Sequence, residues 1–201
     1  MNAFRRAPRV HAKQWAERRI SRPIARLLIA LHIPANAITL VGLGVAGGAA
    51  YLIAEGRLFA GGAVMLAGAA LDMLDGAVAR LANSAGRFGA YLDSVADRAG
   101  EAVVFFGLLA FYVRDGHHLG AYLAFAAAFA AMLVSYSRAR AEGLSVPGDV
   151  GLLGRPERIV VLGVGLLLGY PLYAMGIIAA LALLTSLQRL RHVHRNTRDT
   201  Q

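Results

Sequence analysis

The sequence predicts an all-α integral membrane protein: six transmembrane helices preceded by a cytoplasmic amphipathic juxtamembrane helix. Three observations carry this. Hydrophobic residues make up 57% of the 201 positions and charged residues only 16%, against about 25% charged in a soluble domain. Apolar runs recur along the chain at lengths near the roughly 20 residues a helix needs to cross the bilayer core. Basic residues fall almost wholly in alternate connections, which marks cytoplasmic loops.

The elements follow in order. Residues 11–33, HAKQWAERRISRPIARLLIALHI, alternate apolar and basic side chains at near-helical spacing. That pattern suits a helix lying in the interface, its Arg and Lys reaching lipid phosphates. Residues 1–35 are therefore assigned to a basic juxtamembrane segment. Eight Lys and Arg lie between residues 5 and 26, before any long apolar run. A secretory signal has the opposite balance, so this end of the chain is expected to stay in the cytoplasm. The first span covers about Ala37–Ala54, the second Leu58–Leu81, the third Gly89–Val113 and the fourth Leu119–Ala139. Two shorter runs, Ile159–Tyr170 and Leu172–Leu187, flank Pro171. Together they hold about 30 residues, too many for one crossing, so two helices joined by a tight turn are expected, with one broken span as the alternative. The six helices form a catalytic domain over 36–190, and 191–201 form a basic cytoplasmic tail. Glycines cluster in the spans at Gly42, Gly44, Gly47, Gly48, Gly61, Gly62 and Gly68, where small residues let helices pack closely in lipid.

Charge sets the orientation. With the N-terminus inside, the inner segments hold Arg5 to Arg26, Arg80, Arg87, Arg138, Arg140, Arg155, Arg158, Arg189, Arg191, Arg195 and Arg198. The outer loops hold only Arg57 and Arg114. Six spans return the C-terminus to the cytoplasm, and the plasma membrane is the expected location. The net charge of +9 then faces anionic head groups or anionic substrates. Nucleic acid is excluded as a partner by the hydropathy. The absence of cysteine excludes disulfides and thiolate metal sites.

Four aspartates interrupt this apolar chain: Asp72, Asp75, Asp93 and Asp97. The topology puts all four near the cytoplasmic face. The first pair is three residues apart and the second four, so each pair shares one helix face. A short connection at 82–88 makes the two helices antiparallel neighbours and lets the carboxylates converge. Unpaired carboxylates at membrane depth are costly, and a cation resolves that cost. Hard oxygen donors without His or Cys suit Mg²⁺, Mn²⁺ or Ca²⁺ rather than zinc. Two such ions about 4 Å apart clamp a phosphoryl-transfer site. Pairing of Asp72 or Asp93 with Arg80, Arg87 or Arg98 is the plainer alternative, and a cation-coupled transporter is another use of such a cluster.

The run Asp72, Asp75, Gly76, Ala79, Arg80, Gly89, Asp93, Asp97 resembles the D-x2-D-G-x2-A-R-x8-G-x3-D-x3-D signature of the CDP-alcohol phosphotransferases, with every spacing matched. The resemblance implies a juxtamembrane helix with six transmembrane helices, and a homodimer. It implies that Asp72, Asp75, Asp93 and Asp97 hold two divalent ions, Mg²⁺ with Mn²⁺ as the alternative. Asp97 is then also the general base toward the acceptor hydroxyl. Gly76, Ala79 and Gly89 leave room for the cytidine and ribose of CDP-diacylglycerol, and Arg80 faces its phosphates or holds the loop through a carboxylate. ANAIT, residues 35–39, resembles the family's P-N-x-I-T, with Ala35 where proline is usual. Asn36 and Thr39 then cap the helix and touch the nucleotide; a plain helix cap is the alternative for Asn36.

The segment from Ser135 to Leu162 bears on the acceptor. Its Arg138, Arg140, Arg155 and Arg158 suit an anionic acceptor, since arginine grips phosphate bidentately. Ser135–Glu142, Gly148-Asp149, Arg155–Arg158 and Gln188–Leu190 resemble the actinobacterial phosphatidylinositol phosphate synthases of the same family. That resemblance assigns the acceptor phosphate to Arg138, Arg158 and Arg189, with Arg138 replacing the usual lysine, and makes inositol phosphate the acceptor. Glycerol phosphate or another polyol phosphate is the alternative.

Overall fold

The computed structural model describes residues 34–81 and 86–198, without the side chains of 73–81 and 198. All but the last two positions of the predicted juxtamembrane segment lie outside the described residues. The described residues form six α-helices and no strand: α1 (Ala35–Ala54), α2 (Leu58–Leu81), α3 (Arg87–Arg114), α4 (His118–Glu142), α5 (Arg155–Leu167) and α6 (Pro171–Arg198). The two-helix reading around Pro171 holds. The last helix runs past the predicted Leu187, because nothing in QRLRHVHRNTR breaks it, so most of the predicted tail is helical.

Among the described residues, α1, α4 and α6 are long and apolar enough to cross a membrane. The part of α2 with described side chains, Leu58–Asp72, is apolar. α5 has 13 residues, or roughly 20 Å at 1.5 Å per residue.

The described residues divide into two compact units, 34–44 with 68–97, and 45–67 with 98–198. In the second unit one turn design closes three helical hairpins. At residues 55–57, Gly56 N–H donates to Ile53 O and Arg57 N–H to Leu52 O. The same pair of bonds recurs with Gly116 and His117, and with Gly169 and Tyr170. This is the Schellman arrangement, which needs a left-handed residue after the helix. Gly56, Gly116 and Gly169 supply it, at φ of 77°, 69° and 76°. Ser145 ends α4 the same way with φ 58°, its N–H donating to Glu142 O and that of Val146 to Ala141 O.

Packing in this unit inverts the pattern of a water-soluble core. The buried face of α4 is nearly all small: Ala121, Ala124, Ala127, Ala130, Ala131 and Val134. The same helix exposes Tyr122, Phe125, Phe129, Met132 and Tyr136. Large apolar groups pointing outward need a non-aqueous surround, and small ones inside let helices approach closely. Both place the protein in a membrane. The helices α1 and α3 approach closely enough that a Cβ on Gly107 would stand 2.5 Å from Ala50 O and 2.9 Å from its Cα. Backbone cannot yield as a side chain can. Gly107→Val should cost about 3 kcal/mol, the upper end of the usual overpacking range, read as a lower melting temperature in detergent.

Helix starts are set by less familiar devices. His117 caps α4, its Nδ1 accepting from Gly120 N–H at 3.0 Å. α5 begins behind Gly154 with Pro156 and Glu157 in its first turn, where proline's fixed φ and an acid beside the helix N-terminus both fit.

Candidate active site

In the first unit the site is built from the ends of α1, α2 and α3. α2 stays helical through Leu81, so Asp72 and Asp75 keep their i, i+3 relation. Asp72 lies against α1: a Cβ on Gly42 would stand 3.0 Å from its Oδ1. Gly42 thus clears space for a carboxylate, a role that the general packing argument for glycines missed. The start of α3 meets the start of α1 in the same way, with a Cβ on Gly89 3.2 Å from Asn36 Oδ1. Two residues predicted from separate motifs for the CDP-lipid are therefore adjacent. Thr39 is buried, and its hydroxyl donates to Ala35 O at 3.2 Å, a back-bond within α1. Asp93 and Asp97 share one face of α3 and are both half-buried.

The donor set offered here is carboxylate only, half-buried and spared a clash at Gly42. It fits a hard divalent ion. Among the described side chains no three His, Cys, Asp or Glu form a metal-sized group. The side chains of Asp75, Gly76, Ala79 and Arg80 lie outside the described residues.

In the second unit the three predicted acceptor arginines converge around the connection 143–154. Arg138 and Arg158 act on Arg189 with like charge, and Glu142 and Asp149 act on it with opposite charge. Their environments differ sharply. Arg138 is half-exposed and its Nε donates to Glu142 Oε1 at 2.8 Å. Arg189 is buried; its Nε donates to Val150 O at 2.8 Å and its Nη1 to Val134 O. It ties the connection to α4 and α6 together. Arg158, 2% exposed, is gripped by Glu101 of α3 through two bonds, Nε to Oε1 at 2.6 Å and Nη2 to Oε2 at 2.7 Å.

The connection itself is pinned closely. Leu153 N–H donates to the buried Thr185 hydroxyl at 3.1 Å, and that hydroxyl donates to Leu181 O at 2.8 Å. A Cβ on Gly148 would stand 2.8 Å from Arg138 O, and one on Gly151 would strike the Thr185 side chain. Gly148 therefore lets the loop lie against α4. Sequence reasoning missed Glu101 and Thr185. The signal for Glu101 was a lone carboxylate in an apolar run, four residues beyond Asp97 on the same helix.

Residues 31–188 match the CDP-alcohol phosphatidyltransferase family. The chain belongs to that family and is a transferase. Similar proteins include the archaetidylinositol phosphate synthase of Methanothermobacter thermautotrophicus, 37% identical over 183 residues, with 86% of this chain and 91% of that protein covered. The phosphatidylinositol phosphate synthase of Mycobacterium tuberculosis is 39% identical over 151 residues, covering 73% and 69% of the two chains. The crystal structure of the Mycobacterium tuberculosis synthase with CDP-DAG bound aligns at TM-score 0.80 and 34% identity, over 87% of this chain and 94% of that one. Its structure in complex with manganese and citrate aligns at TM-score 0.81 and 32% identity, over 87% and 88%.

Proposed function

We propose that this protein transfers the phosphatidyl group of CDP-diacylglycerol to a hydroxyl of inositol phosphate, releasing CMP and giving phosphatidylinositol phosphate. The observation that carries the acceptor is that Arg138, Arg158 and Arg189 all border the connection 143–154, at Gly148, Gly154 and Val150, supported by the named activities of the relatives. Asp72, Asp75, Asp93 and Asp97 would hold divalent ions, Mg²⁺ or Mn²⁺, whose charge offsets that of the diphosphate. Asn36, Thr39, Gly76, Ala79, Arg80 and Gly89 receive the CDP-lipid. Asp97 takes the proton of the acceptor hydroxyl. The acceptor's hydroxyl oxygen bonds to the phosphorus nearer the lipid, the diphosphate bridge breaks at that phosphorus, and CMP leaves with the bridging oxygen. The arginines hold the acceptor's own phosphate, so the hydroxyl arrives oriented rather than by collision.

The test is CMP release from CDP-diacylglycerol by the purified protein with Mg²⁺, comparing inositol phosphate with glycerol phosphate. Turnover with inositol phosphate alone supports the reading. Turnover with glycerol phosphate alone keeps the aspartate chemistry and replaces the acceptor, and release with neither overturns it.

The reading includes six membrane crossings behind a juxtamembrane helix, both termini in the cytoplasm, a plasma-membrane location and a homodimer. The chain contains no cysteine, which makes orientation directly testable. A single cysteine at His118 should react with a membrane-impermeant maleimide added outside intact cells, and one at Thr200 should react only after lysis. The reverse pattern would invert the topology. Light scattering in detergent reads the dimer, and a monomer mass removes it.

A further inference from the structure

The Arg158–Glu101 pair is a deeply buried ionic contact, and stability does not account for it. The two side chains are 2% and 12% exposed. Removing both charges from water is expensive, and an apolar pair of similar volume is often as stable or more so. The pair must therefore serve something that two apolar residues do not.

Its geometry suggests what. A guanidinium has five N–H donors in one plane. Glu101 takes the side edge, through Nε and Nη2. The end edge, formed by Nη1 and the second N–H of Nη2, is directed away from Glu101. That edge is itself a two-donor fork that matches a phosphate. A carboxylate on the side edge fixes both the rotamer and the plane of the guanidinium. It also supplies a compensating charge where Arg158 shares its surroundings with two other cations.

We propose that Glu101 is a positioning residue for the acceptor: it holds Arg158 side-on so that the end edge of the guanidinium takes the acceptor's phosphate. This rests on the reading of Arg158 as an acceptor ligand. Arg138 contrasts with it. Its partner Glu142 lies on the same helix and both side chains are about half exposed, so that pair exchanges readily with water or an incoming anion. The buried pair sets the geometry, and the exposed one adapts.

The experiment compares Glu101→Gln, Glu101→Asp, Arg158→Met and the double variant E101M/R158M in detergent. It reads melting temperature and the KM and kcat for inositol phosphate and for CDP-diacylglycerol. Glu101→Gln should raise the KM for inositol phosphate about tenfold or more, leaving that for CDP-diacylglycerol unchanged. Glu101→Asp keeps the charge but shortens the reach, so it should raise the same KM less, and it carries the test if Glu101→Gln does not fold. The double variant should melt no lower than wild type yet bind inositol phosphate as poorly as Arg158→Met does. If Arg158→Met raises the acceptor KM but neither Glu101 variant does, Glu101 is structural only, and the reading of Arg158 survives. If Arg158→Met and the double variant both leave the acceptor KM unmoved, the reading of Arg158 falls and the role of Glu101 with it.

Discussion

Asp97→Asn is expected to lower CMP release by at least about 10³-fold while the protein still extracts, folds and melts like the wild type. The substitution changes no volume. It replaces a carboxylate with a group that accepts no proton near neutral pH and is a poorer ligand for a hard cation. Asp97 is half-buried on α3, four residues from Asp93. Relief of like charge between the two would if anything stabilise the helix. Circular dichroism and thermal melting therefore separate loss of chemistry from loss of fold. More than a tenth of wild-type turnover at saturating Mg²⁺ would remove Asp97 as the base.

Arg189→Met should fail in two ways together. Val150 O loses its charged donor, while Val134 O keeps the Ser137 hydroxyl; a carbonyl left without a partner costs about 1–3 kcal/mol. The connection 143–154 then loosens, which hydrogen exchange or limited proteolysis detects. The acceptor also loses one of its cations, and kcat/KM for inositol phosphate should drop about 100-fold. Arg189→Lys should not restore either property, because one ammonium on a flexible stem does not reproduce two donors spread across a rigid plane. Full activity in the lysine variant would show that charge alone suffices there.

The sequence was most informative where local rules decide. The predicted third span, Gly89–Val113, falls within two residues of α3 at either end, and the turn before Pro171 is marked by Gly169. The aspartates were legible because carboxylates in an apolar chain demand a reason. Of the six predicted spans, those on α1, α4 and α6 stand out by length and apolarity among the described residues. The helix α3 carries Asp93, Asp97 and Glu101, which interrupt its apolar run, and α5 has only 13 residues. The missed residues depend on contacts far apart in the chain. Glu101 and Arg158 are separated by 57 positions and Leu153 and Thr185 by 32, and no periodicity encodes such a meeting. Arg158 was read as an anion ligand without its partner, because a sequence shows a charge but not what already holds it. The cap at His117 has no signature in the sequence, since histidine is not a favoured cap.

The alanine face of α4 makes tolerance to mutation lopsided. In a soluble enzyme, interior damage usually comes from truncating Leu, Ile or Phe to something smaller. At Ala124, Ala127 and Ala130, each fully buried, there is little left to remove. Harm there comes from growth, since even one added methyl group must push helices apart. Outward-facing Phe125 and Phe129 can be exchanged among bulky apolar types at little cost. A substitution matrix drawn from water-soluble proteins would thus rank the sensitivity of these positions in nearly the reverse order, and laboratory evolution of this scaffold should find its permissive sites on the lipid-facing side.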